Sequence, residues 1–308
     1  HLAGGTMCPS YMATRNEHDS TRARANMLRQ VLTHPKDVRN PWDSDEVRSV
    51  MDLCLSCKGC KSECPSNVDV ARLKAEWQQH DHDLHGVPLR SRLIANYART
   101  MRFASKAPGV YNWLVSHAVT SRWIKRLVGF APARSLPPLS SPTLRAWHAR
   151  RSSDKSTSAS GGGGGFSRGR VHLFCDEFTD YQDSAMGMKA VTLLNRLGYE
   201  VILPHHAESG RAHLSKGLVR EAQVCAETNV EALQEVVTDE APLIGLEPSA
   251  LLTFRDEVPD LVSARLKPGA RALAGRALLF EEFIAREVAA GRIRPESFTA
   301  ETRVVHLH

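Results

Sequence analysis

No run of about 18 apolar residues occurs that could span a bilayer. The Gly-x-Gly-x-x-Gly fingerprint of a dinucleotide fold is missing, and the glycine run Gly161–Gly165 is not followed by Gly-Lys-Ser/Thr, which excludes a phosphate loop. Acidic side chains are absent from Gly86 to Ser153, although that stretch holds twelve Arg or Lys residues. Aromatic residues make up 6% of the chain, and neither a nucleic-acid recognition motif nor an aromatic stacking pattern accompanies the basic stretch. Nucleic acid is therefore not an expected partner. An initiator Met and the charged-then-apolar pattern of a signal peptide are missing too. The chain opens on His1-Leu2-Ala3-Gly4-Gly5 and closes on Arg303–His308, so both ends read as cut and an internal piece of a longer protein is expected.

What is present suits globular domains. The 308 residues are 42% hydrophobic and 24% charged with a net charge of +6, enough apolar material for a core in each of two domains. Four of the seven cysteines fall within eleven residues, Cys54-Leu-Ser-Cys57-Lys-Gly-Cys60-Lys-Ser-Glu-Cys64-Pro65. This is the C-x2-C-x2-C-x3-C-P run of bacterial-type iron–sulfur proteins, in which closely spaced thiolates let one loop wrap a cubane. Gly59 would let the backbone pass near the cluster and Pro65 would turn the chain away. A disulfide framework suits small secreted domains, and zinc usually takes two separated Cys-x2-Cys pairs. The spacing therefore favours [4Fe–4S], with a zinc-stabilised interaction module as the competing class.

Cys8-Pro9 extends this reading. In two-cluster proteins the cysteine before Pro ligates the other cluster. Cys8 then completes the site of Cys54, Cys57 and Cys60, while Cys64 serves a second cluster whose other cysteines lie upstream of His1. One complete [4Fe–4S] cluster is expected, and a second only with the missing cysteines. Cys8 as a buried structural thiol is the alternative. Lys58 and Lys61 beside the site are expected to raise its potential. His80, His82 and His85, interleaved with Asp81 and Asp83, read as a solvated helix face.

The expected fold is α+β and multidomain. A helical ferredoxin-type domain (1–86) has helices over Thr21–Leu32, from Asp43 or Ser44 to Leu53, and from after Asn67 to about His80, with Ala23, Met27, Leu28, Val31 and Leu32 near helical spacing. A basic helical connector (87–151) holds two amphipathic helices, one through Leu89, Leu93, Tyr97 and Met101, the other through Val110, Trp113, Leu114, Trp123, Ile124 and Leu127. A packing helix with a solvated basic side is the favoured reading there, and contact with an anionic membrane surface the alternative. A flexible Ser/Gly linker (152–168) precedes a parallel α/β region (169–308). That region is read as strands at 171–175, 200–203, 242–246 and 303–307, with helices over Ala185–Leu197, Leu214–Leu233 and Leu278–Ala290. Glu208, Ser209, Arg211, Lys216, Glu247 and Arg255 sit beyond its strand ends as a candidate second site, where ligands of such sheets bind. Helix capping and surface ion pairs explain the same residues, and composition favours that explanation.

The chain resembles the FAD- and Fe–S-containing D-2-hydroxyacid dehydrogenases, the nicotinamide-independent D-2-hydroxyglutarate and D-lactate enzymes. The resemblance rests on Met7-Cys8-Pro9-Ser10-Tyr11-Met12-Ala13-Thr14-Arg15, His18, Ser20-Thr21-Arg22, the cysteine run, Phe178-Thr179-Asp180-Tyr181, Glu208-Ser209-Gly210-Arg211, Ser215-Lys216-Gly217 and Leu246-Glu247-Pro248-Ser249. It implies an upstream FAD domain in the parent polypeptide, a cysteine-rich domain of heterodisulfide-reductase type, and electron flow from flavin through [4Fe–4S] to a quinone or cytochrome acceptor. It also implies a cytoplasmic protein, or one held peripherally on the inner face of the plasma membrane. Without a flavin domain, no catalytic residue is expected and this piece alone should not oxidise substrate. Cysteine-rich domains of this type commonly carry Cys-Cys-Gly-Arg where this chain has Glu208-Ser209-Gly210-Arg211, and a cysteine near Ala250. Those replacements argue against a further cluster, and Cys175 and Cys225 read as buried thiols. The runner-up is a non-catalytic Fe–S adaptor resembling the anchoring subunit of anaerobic glycerol-3-phosphate dehydrogenase or heterodisulfide reductase.

Overall fold

A computed structural model of the chain describes residues 8–35, 37–157, 166–299 and 304. Met7, linker residues 158–165 and the expected strand Arg303–Leu307, apart from an exposed Val304, lie outside the described residues. The chain divides into two compact units, His1–Asn96 with Ala212–Ala222, and Tyr97–Arg211 with Gln223–His308. The division at Asn96 falls inside the segment expected to be a connector.

The first unit is all helical: α1 Pro9–Thr14, α2 Thr21–Thr33, α3 Asp45–Asp52, α4 Gly59–Glu63, α5 Val70–His85 and α6 Leu89–Ala95. The side chains of Ser20, Ser44 and Asp69 accept hydrogen bonds from first-turn N–H groups and so fix the starts of α2, α3 and α5. Leu28, Val31, Val47, Val50, Met51 and Trp77 form the core, and the Trp77 indole N–H donates to the Trp42 carbonyl at 3.1 Å. The buried face of α2 is Arg24, Leu28 and Val31, whereas Leu32, expected inside, is exposed.

The second unit begins with α7 Tyr97–Ala104, α8 Pro108–Ser116, α9 Ala118–Val128 and α10 Leu144–Thr157. Each of the two long amphipathic helices expected over residues 89–127 is interrupted. Asn96 separates α6 from α7, and His117, with ψ 128°, separates α8 from α9. Helix α10 extends to Thr157, into the segment expected as linker.

A four-stranded parallel sheet follows, ordered β2-β1-β3-β4, from β1 Gly169–Phe174, β2 Tyr199–Ile202, β3 Leu243–Gly245 and β4 Ala277–Leu279. Between β1 and β2 run α11 Glu177–Tyr181 and α12 Ser184–Arg196, and before β3 come α13 Arg211–Ser215 and α14 Val219–Leu233. Helices α15 Pro248–Asp256, α16 Val258–Leu261 and α17 Lys267–Arg276 lead to β4, and α18 Phe280–Ala289 follows it. Side-chain alternation splits the apolar residues between two faces. Val171, Leu173, Cys175 and Ile244 pack with α12 and Phe283, while Phe174 and Leu243 pack with Val230, Leu251 and Phe254. Covering both faces is what a parallel sheet requires.

Two expectations are corrected here. The helix expected over Leu214–Leu233 breaks in two because Gly217 takes a left-handed φ of +69°. Leu278, expected to start a helix, lies in β4, whose three residues are too short to show alternation. No helix among the described residues is long and apolar enough to cross a membrane.

Gly245 closes the sheet against α15: a Cβ there would stand 2.8 Å from the Cβ of Leu251, which the helix backbone holds in place. Gly245→Ala is expected to destabilise the second unit by about 1–3 kcal/mol, read as an unfolding midpoint that moves to lower denaturant.

Candidate metal centre

Helix α3 delivers the chain to Cys54, and the cysteine loop then coils back on itself. Ser56 and Lys58 take left-handed φ values of 54° and 61°, so the tight turn rests on these two residues and not on Gly59, which starts α4. Cys8, Cys54, Cys57 and Cys60 line one pocket, walled by Leu55, Val70 and Ala71. Cys64 is not on that pocket and instead faces a wider cleft with Cys8, Tyr11 and Cys60. None of the seven cysteines is in a disulfide among the described residues.

Two buried cations border the site. Arg24, 2% exposed, donates to the Cys8 sulfur at 3.1 Å, to Ser10 Oγ at 2.8 Å and to the Val50 carbonyl at 2.9 Å. Lys74 is also buried and donates from Nζ to the Cys54 carbonyl at 2.6 Å. Neither of these contacts is to a carboxylate. Burial holds the Lys74 ammonium below its ordinary value. Burial opposes a thiolate at Cys8, but hydrogen bonds from Ser10, the Tyr11 backbone and Arg24 outweigh it and bring the thiol down to about 7. At Cys60 burial wins and the thiol is raised. Backbone N–H groups of Val68 and Ser66 lower Cys64.

Lys58 and Lys61 do not point unopposed at the pocket. Their ammonium groups lie 3.6 and 3.7 Å from Asp69 Oδ2, with Arg72 Nε at 3.5 Å, while Asp69 Oδ1 accepts from the N–H groups of Ala71 and Arg72. Asp69 thus joins the cysteine loop to α5 and offsets the positive charge expected to raise the potential. The expected solvated face holds for His80 and His85, which are exposed, and fails at His82. His82 is buried with Nε2 2.9 Å from the Lys216 carbonyl, His85 lies 2.9 Å from Asp43, and His80 stacks on Trp42.

Residues 5–69 match the family model described as a 4Fe–4S dicluster domain. Curated relatives over most of the chain are D-2-hydroxyglutarate dehydrogenases. The Escherichia coli protein is 25% identical and the Pantoea ananatis protein 27% identical, each over 83% of this chain. That of Haemophilus influenzae is 24% identical over 84% of the chain. The chain is thus similar to the D-2-hydroxyglutarate dehydrogenases and carries a segment that matches a 4Fe–4S dicluster domain. It spans 28% of the length of those relatives. No solved structure matches it.

The pocket fits an iron–sulfur cluster in two respects. Its donors are soft thiols, and a buried guanidinium and ammonium, neither hydrogen-bonded to a carboxylate among the described residues, favour a negative group nearby. Sequence periodicity could have revealed both cations. Arg24 shares one helical stripe with Leu28 and Val31, and Lys74 with Val70, Ala71 and Trp77, so each is a charge written into a core face.

The candidate second site does not assemble as one constellation. Glu247 caps α15, accepting from Ser249 Oγ at 2.7 Å and the Ala250 N–H at 2.5 Å, and Arg255 makes a surface ion pair with Glu282 at 2.7 Å. Arg211 pairs with Glu257 at 2.6 Å. Lys216 belongs to the first unit. Capping and ion pairing thus account for Glu247, Arg211 and Arg255.

Glu208 does lie at the sheet's C-terminal end, in a small pocket with Arg102, Arg145, Cys175, Glu177 and His206. Ser209 is engaged nearby, donating to Glu177 from Oγ at 2.6 Å and from N at 3.1 Å. His206 Nε2 accepts from the Cys175 N–H at 3.1 Å and from Arg145 at 2.6 Å, and its Nδ1 lies 2.6 Å from the Ala207 carbonyl. That arrangement requires a neutral imidazole protonated on Nδ1, and burial and the Arg145 charge press its pKa down to about 3. Burial raises the Cys175 thiol far above its ordinary value.

Two predictions follow from these geometries. Asp69→Ala removes the α5 cap and is expected to cost the first unit about 1–2 kcal/mol in denaturant unfolding. Glu208 is raised from 4.5 to about 7 by burial and by the nearby Glu177 charge. Its protonated form is therefore favoured on folding, and the stability this contributes is lost as pH rises through the folded value. Glu208→Gln should melt higher than the unsubstituted chain at about pH 8 and lose that advantage at about pH 4.

Proposed function

We propose that this chain is the iron–sulfur electron-transfer portion of a flavin-linked D-2-hydroxyacid dehydrogenase. It would take electrons from an FAD domain of the same polypeptide and pass them to a quinone or cytochrome acceptor at a membrane. D-2-hydroxyglutarate is the favoured donor, because the curated relatives carry that name; D-lactate is the second candidate. The observation that carries the reading is the presence of Cys8 in the pocket of Cys54, Cys57 and Cys60, with Arg24 donating to its sulfur.

These four thiols are the assigned ligands of one [4Fe–4S] cluster. When bound, such a cluster supplies one-electron carriage at a potential set by the hydrogen bonds, charge and dryness around it. The chain contributes those settings through Arg24 at the Cys8 sulfur, Lys74 at the Cys54 carbonyl, and the apolar walls of Leu55, Val70 and Ala71. Cys64 is assigned to a second cluster that needs cysteines beyond this chain.

Iron and sulfide analysis after anaerobic reconstitution tests the assignment. About four irons per chain are expected, unchanged in Cys64→Ser and lowered in Cys8→Ser, whereas about eight would refute it. Cys64→Ser losing iron as readily as Cys57→Ser would also reverse the assignment of Cys8 and Cys64. Stoichiometric zinc in place of iron would reject electron transfer altogether.

A further inference from the structure

Helix α9 is amphipathic, with its apolar stripe facing out. Val119, Trp123 and Leu127, spaced i, i+4 and i+8, are 59%, 67% and 81% exposed, while the buried positions of the same helix are Ser121 and Lys125. Arg122 and Arg126 lie beside the stripe, both exposed, and neither side chain has an ion-pair partner among the described residues.

The preceding helix repeats the pattern. Tyr111 of α8 packs on the Met101–Leu139–Tyr181 cluster, and Asn112 exchanges two hydrogen bonds with the Leu139 backbone at 2.9 and 2.7 Å. That anchoring leaves Val110 and Trp113, spaced i and i+3, exposed. Thr120 Oγ1 ties the start of α9 to the Leu114 carbonyl at 2.8 Å, so the two helices form one hairpin. The favoured sequence reading, a packing helix with a solvated basic side, would have buried the tryptophans.

Scattered exposed apolar residues need no explanation, but two ordered stripes, each with an exposed tryptophan, one of them beside unpaired arginines, do. Tryptophan is enriched at the boundary between headgroups and acyl chains, and a basic amphipathic helix binds there when the lipid is anionic. Charge decides between occupants. With no Asp or Glu from Gly86 to Ser153, a second copy of the hairpin would set arginine against arginine, whereas anionic headgroups complement it.

We propose that the α8–α9 hairpin docks on the surface of an anionic bilayer, with Val119, Trp123 and Leu127 entering the headgroup region and Arg122 and Arg126 contacting lipid phosphates. This rests on the surface of the second unit and does not depend on the cluster assignment.

Cosedimentation of the 308-residue chain with vesicles of phosphatidylcholine, alone or mixed with phosphatidylglycerol, tests it. Binding is expected only to the mixed vesicles, with a blue shift of tryptophan emission. Trp123→Ser/Leu127→Ser should weaken partitioning about tenfold or more, and Arg122→Glu/Arg126→Glu should remove the salt-sensitive part. Both pairs are on the surface, so unchanged circular dichroism and iron content would separate a docking defect from misfolding or loss of the cluster site. Absence of binding to mixed vesicles overturns the proposal. So does binding that the apolar pair leaves unchanged, or sedimentation-velocity dimerisation that the same pair abolishes while no vesicles are bound, which would assign the face to a second copy.

Discussion

The first unit is organised around an imbalance of buried charge. Burying a guanidinium without an ion pair is costly, and Arg24 is 2% exposed with a thiol, a hydroxyl and a carbonyl as its hydrogen-bond partners among the described residues. Those partners come from different parts of the chain. Cys8 and Ser10 belong to the entry into α1 and Val50 to α3, so one side chain aligns the two segments that bring Cys8 to the cysteine loop. Lys74 performs the matching task from α5 by holding the Cys54 carbonyl. A negatively charged group held by the thiols would offset this pair of cations. In the proposed reading the same positions would serve both folding and redox tuning.

The second unit takes a different course. The Glu208 and Ser209 side chains at the end of its sheet close on their own neighbours. Ser209 is bound by Glu177, Cys175 is a buried thiol with its pKa raised, and His206 is locked neutral between Arg145 and the Cys175 backbone. An inert, desolvated thiol is a poor candidate for metal binding or redox exchange. The parallel sheet thus presents a polar network at its C-terminal end.

Much of this was readable from residue order, and the failures have physical causes. The starts of α2 and α3 were legible because short polar side chains just ahead of an apolar repeat suit a cap, although residue order alone did not separate Ser44 from Asp43. The pocket membership of Cys54, Cys57 and Cys60 followed from spacing alone. Arg24 was passed over because a charge in an apolar stripe looks like noise until its partners are visible. The α8–α9 hairpin misled for the opposite reason: periodicity reveals that a helix has an apolar face, but not whether that face meets protein or another medium. Strand β4 was hidden because three residues between two helices carry no period. Gly217 looked like part of a helix until its left-handed φ showed the break.

Redox titration of the anaerobically reconstituted chain, followed by electron paramagnetic resonance, tests the central claim most directly when Arg24→Met is compared with the unsubstituted protein. Removing the buried positive charge and its hydrogen bond to the Cys8 sulfur disfavours the more negative reduced state. The account predicts a lower midpoint potential in the variant, with the helical circular dichroism retained. A midpoint that does not move in a folded, iron-loaded Arg24→Met protein would contradict it.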